Sequence, residues 1–186
     1  MRSFSWLRLF FLSRHRNQLW RFIPLFNKRT TFLTQIQRRI PLSTLPLWLM
    51  VHLANIVEQL DTMFDKEEFQ KAYEYIEKNK TNELFQSHYI QWRIARIFYK
   101  LSLITQDKKL KRKLVEEGFE QVKLALIHGN HIYSVHKWYG ILLNEKSQYT
   151  STDEQIRNAY EVLDHFEEAV RLNPQDPTSY YLLGSW

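Results

Sequence analysis

Residues 158–186 read NAYEVLDHFEEAVRLNPQDPTSYYLLGSW, and the spacing within them sets the expected fold. In a helical-hairpin repeat frame of about 34 residues, Phe166 falls at position 24, Ala169 at 27 and Pro174 at 32. The next repeat then places Tyr180, Leu183 and Gly184 at positions 4, 7 and 8. Ala169 and Gly184 are small where two helix backbones must approach. Pro174 stops one helix and opens the turn before the next, and Asn173 ahead of it can take a capping conformation. Such a stretch specifies architecture rather than chemistry.

Upstream, the same frame recurs irregularly. His128 and Gly129 form a helix stop, after which Gly140 taken as position 8 puts His136 at 4, Tyr139 at 7 and Leu143 at 11. Counting from there to Ala169 leaves a surplus of about ten residues over a standard repeat. The spacing therefore predicts an enlarged loop or an extended second helix between Asn144 and Tyr160. Before that, residues 83–105 are apolar around a wide arc. Tyr89, Trp92, Ala95 and Tyr99 make one row and Ile90, Ile94, Ile97, Leu101 and Ile104 another, with Arg93, Arg96 and Lys100 on a narrow polar strip. A helix of this kind packs on two sides. Earlier still, one helix runs from about Leu47 through Ile56, Leu60, Met63 and Phe64. After a break at Asp65 and Lys66, a second carries Phe69, Ala72, Tyr73 and Ile76, with Asp65 as its expected N-cap. The expected fold is all-α: an irregular, tetratricopeptide-like solenoid of antiparallel hairpins over residues 47–186, preceded by a basic leader over 1–46.

Composition agrees. The 186 residues are 44% hydrophobic and 15% aromatic, with four glycines, five prolines and no cysteine. Hairpin turns and a Gly-rich phosphate loop have little to be built from, and disulfides, thiol catalysis and thiolate metal sites are excluded. The net charge of +6 is unevenly shared: residues 1–57 hold nine Lys/Arg and no acid (+9), whereas 58–186 hold seventeen bases and twenty acids (−3). The basic pI belongs to the leader, so charge is no argument for nucleic-acid binding by the folded part.

Residues 1–40 are Arg-rich, acid-free and dotted with Ser and Thr, and FSWLRLFFLSR can form amphipathic turns. That is the composition of a mitochondrial presequence or a membrane-surface segment; an inert basic tail is the alternative. A secretory signal fits less well, because Arg8 interrupts the apolar stretch. The apolar run at 47–57 has only about eleven proline-free residues, short of the roughly twenty a span needs. It is expected to begin the first solenoid helix or to lie at an interface, with a short membrane anchor as the lesser alternative.

KKLKRK, residues 108–113, is the one dense charge cluster after the leader. With Asp107 as N-cap, Lys108, Lys109, Lys111, Arg112 and Lys113 crowd the first turns of a helix against its dipole. Placing Leu110, Leu114, Val122 and Leu126 on the buried face puts Lys108, Lys111 and Arg112 opposite, in solvent. The simplest reading is a solvated surface. The functional one is a contact for an acidic partner, either acidic tubulin tails or phospholipid head groups.

No arrangement of catalytic side chains emerges. His128, His131 and His136 have no acid at helical spacing to complete a metal site, and HExxH does not occur. Glu167 and Glu168 are adjacent and diverge by about 100° around a helix. Neither an enzyme nor a cofactor is expected.

Several blocks carry a more specific resemblance. Trp92-Arg93-Ile94-Ala95-Arg96, then HKWYGILL with His136, Trp138, Tyr139 and Gly140, then Asn158-Ala159-Tyr160, His165-Phe166-Glu167 and LNPQDPTSYYLLGSW, resemble the ordered blocks of the regulator of microtubule dynamics family. The resemblance covers about residues 58–186. It implies a non-enzymatic helical-repeat protein that associates with microtubules and spindle poles. Some relatives carry a mitochondrial leader, and one tethers endoplasmic reticulum to mitochondria through lipid contact. Ser147-Gln148-Tyr149 departs from the family, which tends to have Gly-Asp before that tyrosine.

Two functions follow as expectations: a microtubule-binding or spindle-binding adaptor, or a mitochondrial contact-site protein that binds anionic lipid. The last helix starts with no partner after it. Tyr181, Leu182, Leu183 and Trp186 are therefore expected to present apolar surface, as in a truncated product or an end that docks in trans.

Overall fold

A computed structural model describes residues 46–185. The leader expected at 1–46, apart from its last residue, and Trp186 lie outside the described residues. Val51–Trp186 form one compact unit, and of the remainder of the chain only residues 46–50 are described.

Seven α-helices and one 3-10 turn make up the described chain, with no strand among the described residues. They are α1 (Leu47–Asp65), α2 (Phe69–Asn79), the 3-10 turn (Glu83–Gln86), α3 (His88–Ile104), α4 (Lys108–Gly129), α5 (Tyr133–Ser147), α6 (Thr152–Leu172) and α7 (Pro177–Ser185). The protein is all-α, built of helical hairpins.

Pairings across the hairpins establish that their helices are antiparallel. In the α3–α4 hairpin, Gly129 at the end of α4 lies against His88 at the start of α3, and Gly118 lies against the Ala95 carbonyl and Phe98. In the α5–α6 hairpin, His136 meets His165 near one end, Gly140 meets Phe166 a turn further on, and Ser147 meets Asn158 at the other. The ten-residue surplus is absorbed by helix rather than loop: α6 runs for 21 residues, and only 148–151 separate it from α5. Asn158 fastens that short turn by donating from Nδ2 to Ser147 Oγ at 2.8 Å, while Ser147 Oγ donates back to the Leu143 carbonyl at 2.7 Å.

The core runs along α3, α4 and α5. Ile90, Ile97, Leu114, Val115, Val122, Val135 and Leu142 are fully enclosed, and Phe166, Val162 and Ala169 close it from α6. At the α1–α2 junction the structure differs from the expected N-cap. Asp65 ends α1, and the cap residue of α2 is Glu68, which makes no side-chain cap hydrogen bond. The chain turns there through a Schellman arrangement, with Glu67 at φ 59°, Glu67 N–H donating to the Phe64 carbonyl and Glu68 N–H to the Met63 carbonyl. The turn is made by backbone carbonyls of the preceding helix, which a side-chain capping pattern does not reveal.

Asn173 occupies the C-cap of α6 with φ −140°, outside the left-handed region, and its N–H returns to the Ala169 carbonyl. Asp176 N-caps α7, accepting from Ser179 N–H at 3.0 Å and Ser179 Oγ at 2.6 Å, with Pro177 as the first helical residue. No helix of the described residues is long and apolar enough to cross a membrane.

Candidate functional site

The cationic start of α4 is built by a single cap. Asp107 Oδ1 accepts from Lys109 N–H at 2.8 Å and from Leu110 N–H at 3.3 Å, which starts the helix with its dipole pointing into the lysines. The expectation that Lys108, Lys111 and Arg112 all face solvent needs one correction. Lys108 and Lys109 are exposed, and neither has an ion pair among the described residues. Arg112 is exposed and paired with Glu116 at 2.8 Å, and Lys113 with Glu117 at 3.6 Å. Lys111 instead turns inward, 3.4 Å from Oε1 of the buried Glu145 on α5. The reason lies in the packing of α4, which touches both α3 and α5, so its buried arc is wider than one apolar row. Val115 and Gly118, one and two turns beyond Lys111, are both buried. The outward charge therefore comes from Lys108 and Lys109, joined by the weakly paired Arg112 and Lys113.

A second correction concerns α3. Arg93 and Arg96, expected on a polar strip, converge on one carboxylate across the helix interface. Arg93 donates to Asp61 through Nε at 2.9 Å and Nη2 at 3.2 Å, and Arg96 Nη2 also bonds Asp61 Oδ1. Arg93 Nη1 donates to the Tyr89 carbonyl at 2.6 Å. The guanidiniums lie over aromatic rings, Arg93 4.2 Å from the Trp92 centroid and Arg96 4.1 Å from that of Phe64. Burial works to raise the Asp61 carboxyl, and the two cations overcome it, holding it below the usual carboxylate range. Desolvation lowers Arg96 to about 10, which leaves it charged at neutral pH. Trp92 packs in this cluster with its indole N–H unpaired.

Every residue of the HKWYG block meets a neighbouring element. His136 is buried, and its Nε2 lies 2.8 Å from the Asn130 carbonyl, which can only accept. Nε2 therefore carries the proton, Nδ1 is the acceptor, and His165 Nδ1–H donates to it across 2.9 Å. Desolvation and the facing His136 push His165 down to about 4, and desolvation lowers His136 as well. Lys137 reaches Asp176 at 2.8 Å and so ties α5 to the cap of α7. Trp138 contacts Phe64 of α1 and Tyr99 of α3 edge-on or tilted, at centroid distances of 6.4 and 5.9 Å. Tyr139 stacks on His165 at 4.0 Å and donates from Oη to Glu161 Oε1 at 2.5 Å, while burial and that carboxylate push its phenol up. Gly140 leaves room for Phe166, since a Cβ there would lie 2.5 Å from the ring.

The remaining repeat positions divide. Trp92, Ala95, Phe166 and Ala169 are buried, and Pro174 lies exposed in the turn after α6. In α7 the buried residues are Ser179 and Leu182, whereas Tyr180 is 49% exposed and Gly184 has nothing within 4 Å of a Cβ. Leu182, expected on the open apolar surface, is 1% exposed because it docks on the preceding hairpin. Gly184 faces away from that hairpin, and no later helix stands against it among the described residues. No group of three or more His, Asp or Glu is placed to hold a metal among the described residues.

The Asp61 cluster was not signalled by sequence spacing. Its members are 32 and 35 residues apart, and each alone reads as a surface charge.

Residues 56–186 match the family described as Regulator of microtubule dynamics protein 1-3. Regulator of microtubule dynamics protein 1 of Pongo abelii is 34% identical over 132 residues, covering 70% of this chain and 41% of the relative. The Bos taurus protein 1 is 32% identical over 135 residues, covering 72% and 42%. Regulator of microtubule dynamics protein 3 of Xenopus laevis is 35% identical over 95 residues, covering 51% and 20%. The chain thus spans about two fifths of the length of its protein 1 relatives. With a match that takes in every helix from the middle of α1 to α7, this chain belongs to the regulator of microtubule dynamics family.

Proposed function

We propose that this chain is a non-enzymatic helical-repeat interaction protein that binds microtubules or spindle components, with the cationic start of α4 meeting acidic tubulin segments. Family membership supports the microtubule-related role. The observation that carries the contact is the exposed Lys108–Lys109 step at a helix N-terminus, without an ion pair among the described residues, next to the loosely held Arg112 and Lys113. Cations placed there oppose the helix dipole, and an anionic partner relieves both charges at once. The acid-free composition of residues 1–46 supports reading them as an address that brings the helical region to a mitochondrial or membrane surface.

Co-sedimentation of the full chain with microtubules tests the contact. A Lys108→Glu/Lys109→Glu variant should lose most of its pelleting, and the wild-type chain should lose its own as salt rises. Lys111 is left alone, because a glutamate there would face Glu145 and report on folding. Equal pelleting of variant and wild type removes the patch from the reading.

A further inference from the structure

A groove of about 650 Å3 opens between α2 and α4, floored by α3 and the 3-10 turn. Its floor is apolar, with Phe85 and Phe98 buried at its base. Its walls carry four glutamates, Glu77 from α2 and Glu116, Glu117 and Glu120 from α4, against two lysines, Lys80 and Lys146. None of the four is locked in place. Each is between 39% and 56% exposed and is paired with a cation three or four residues along the chain, Lys80, Arg112, Lys113 or Lys123, and Lys80 also attracts Glu117 across the groove. Exposed pairs of that kind are weak and exchange readily for a better partner. An apolar floor between acidic walls complements one chemistry above others, a segment with apolar side chains on one face and Lys or Arg flanking them.

We infer that the α2–α4 groove is a docking site for a basic amphipathic helical segment of a partner protein, its apolar anchors on the Phe85–Phe98 floor and its cations on the glutamate walls. Lys146 does not close the groove, since its ammonium lies 4.4 Å from the Phe119 ring centroid, engaged with the face of that ring. A domain with a cationic contact at the start of α4 and an acidic groove beside the same helix can hold an acidic and a basic partner together. The groove stands on its own geometry and does not require the microtubule reading.

The test is fluorescence anisotropy of the full chain with a labelled synthetic helical peptide of about 18 residues, five helical turns, leucine on one face and lysine elsewhere. A matched peptide with glutamate in place of lysine is the control. The lysine peptide should bind with strong salt dependence and the glutamate peptide should not. Glu116→Gln/Glu117→Gln/Glu120→Gln should weaken binding about tenfold, and so should Gln121→Trp, which fills the groove without changing its charge; circular dichroism verifies that both variants remain helical. Lys108→Glu/Lys109→Glu should leave peptide binding intact. Binding that survives Gln121→Trp, or that the triple Gln variant leaves unchanged, overturns the proposal, as does failure of the lysine peptide to bind.

Discussion

Gly140 and Gly184 occupy the same position of successive repeats, and their surroundings are opposite. At Gly140 an added Cβ would meet Phe166 ring carbons at 2.5 and 2.8 Å, and Phe166 is fully buried, so the ring has nowhere to retreat. Alanine improves intrinsic helix propensity by about 1 kcal/mol, while forced overpacking costs about 1–3 kcal/mol. Gly140→Ala should therefore destabilise by up to about 2 kcal/mol in urea denaturation, and Phe166→Leu in the same chain should recover part of the loss. At Gly184 the space is open, and Gly184→Ala should be neutral or slightly stabilising. Equal effects at the two positions would show that backbone propensity, not contact with Phe166, selects glycine at 140.

Between elements, the joint that stands out is α1 on α3. Two guanidiniums share Asp61, with Arg93 7% exposed, and removing one member of such a cluster strands the others without compensation. Asp61→Asn should be clearly destabilising, though by less than the roughly 3–5 kcal/mol of a fully buried pair because the carboxylate is 30% exposed, with loss of α1 protection in hydrogen exchange. The combined Asp61→Leu/Arg93→Met/Arg96→Met chain should regain most of that stability, because apolar residues of similar volume carry no desolvation penalty. A single Asp61→Asn chain as stable as wild type would mean that the cluster is solvated and α1 is held by Leu53, Ile56, Val57 and Leu60 alone.

For the molecule as a whole, pH is the informative variable. His165 and His88 are each held at about 4, by burial first and by neighbouring histidines second, and His136 is lowered too. Glu161, Asp164 and Glu168 face His165 and pull it the other way, and burial outweighs them. A folded-state pKa below the unfolded value of 6.5 means that the unfolded chain binds more protons. The stabilisation is therefore full above pH 6.5 and drains away as pH falls toward 4. Asp61 contributes nothing to this window, since its carboxyl, held below 3.8, is lost only in stronger acid. Stability measured by urea at successive pH values should drop by up to about 6 kcal/mol between pH 7 and 4, roughly 3 for each of His88 and His165. His165→Gln should flatten the curve, and a wild-type profile already flat across that range would contradict the burial of these imidazoles.

The helices, their order and the hairpin architecture could be read directly from residues 47–185, because apolar periodicity and small residues at repeat spacing are local properties of a chain. The block His136-Lys137-Trp138-Tyr139-Gly140 marked a repeat for the same reason, and Asp107 announced the start of α4. The direction in which charged side chains turn was not local. Lys111 faces Glu145, and Arg93 and Arg96 meet Asp61, because α4 and α3 are each packed on more than one side, and partners 32 to 35 residues away supply the compensating charge. At Gly140 the small residue was legible in the sequence, and only the packing of α5 on α6 shows that the Phe166 ring fills the space beside it.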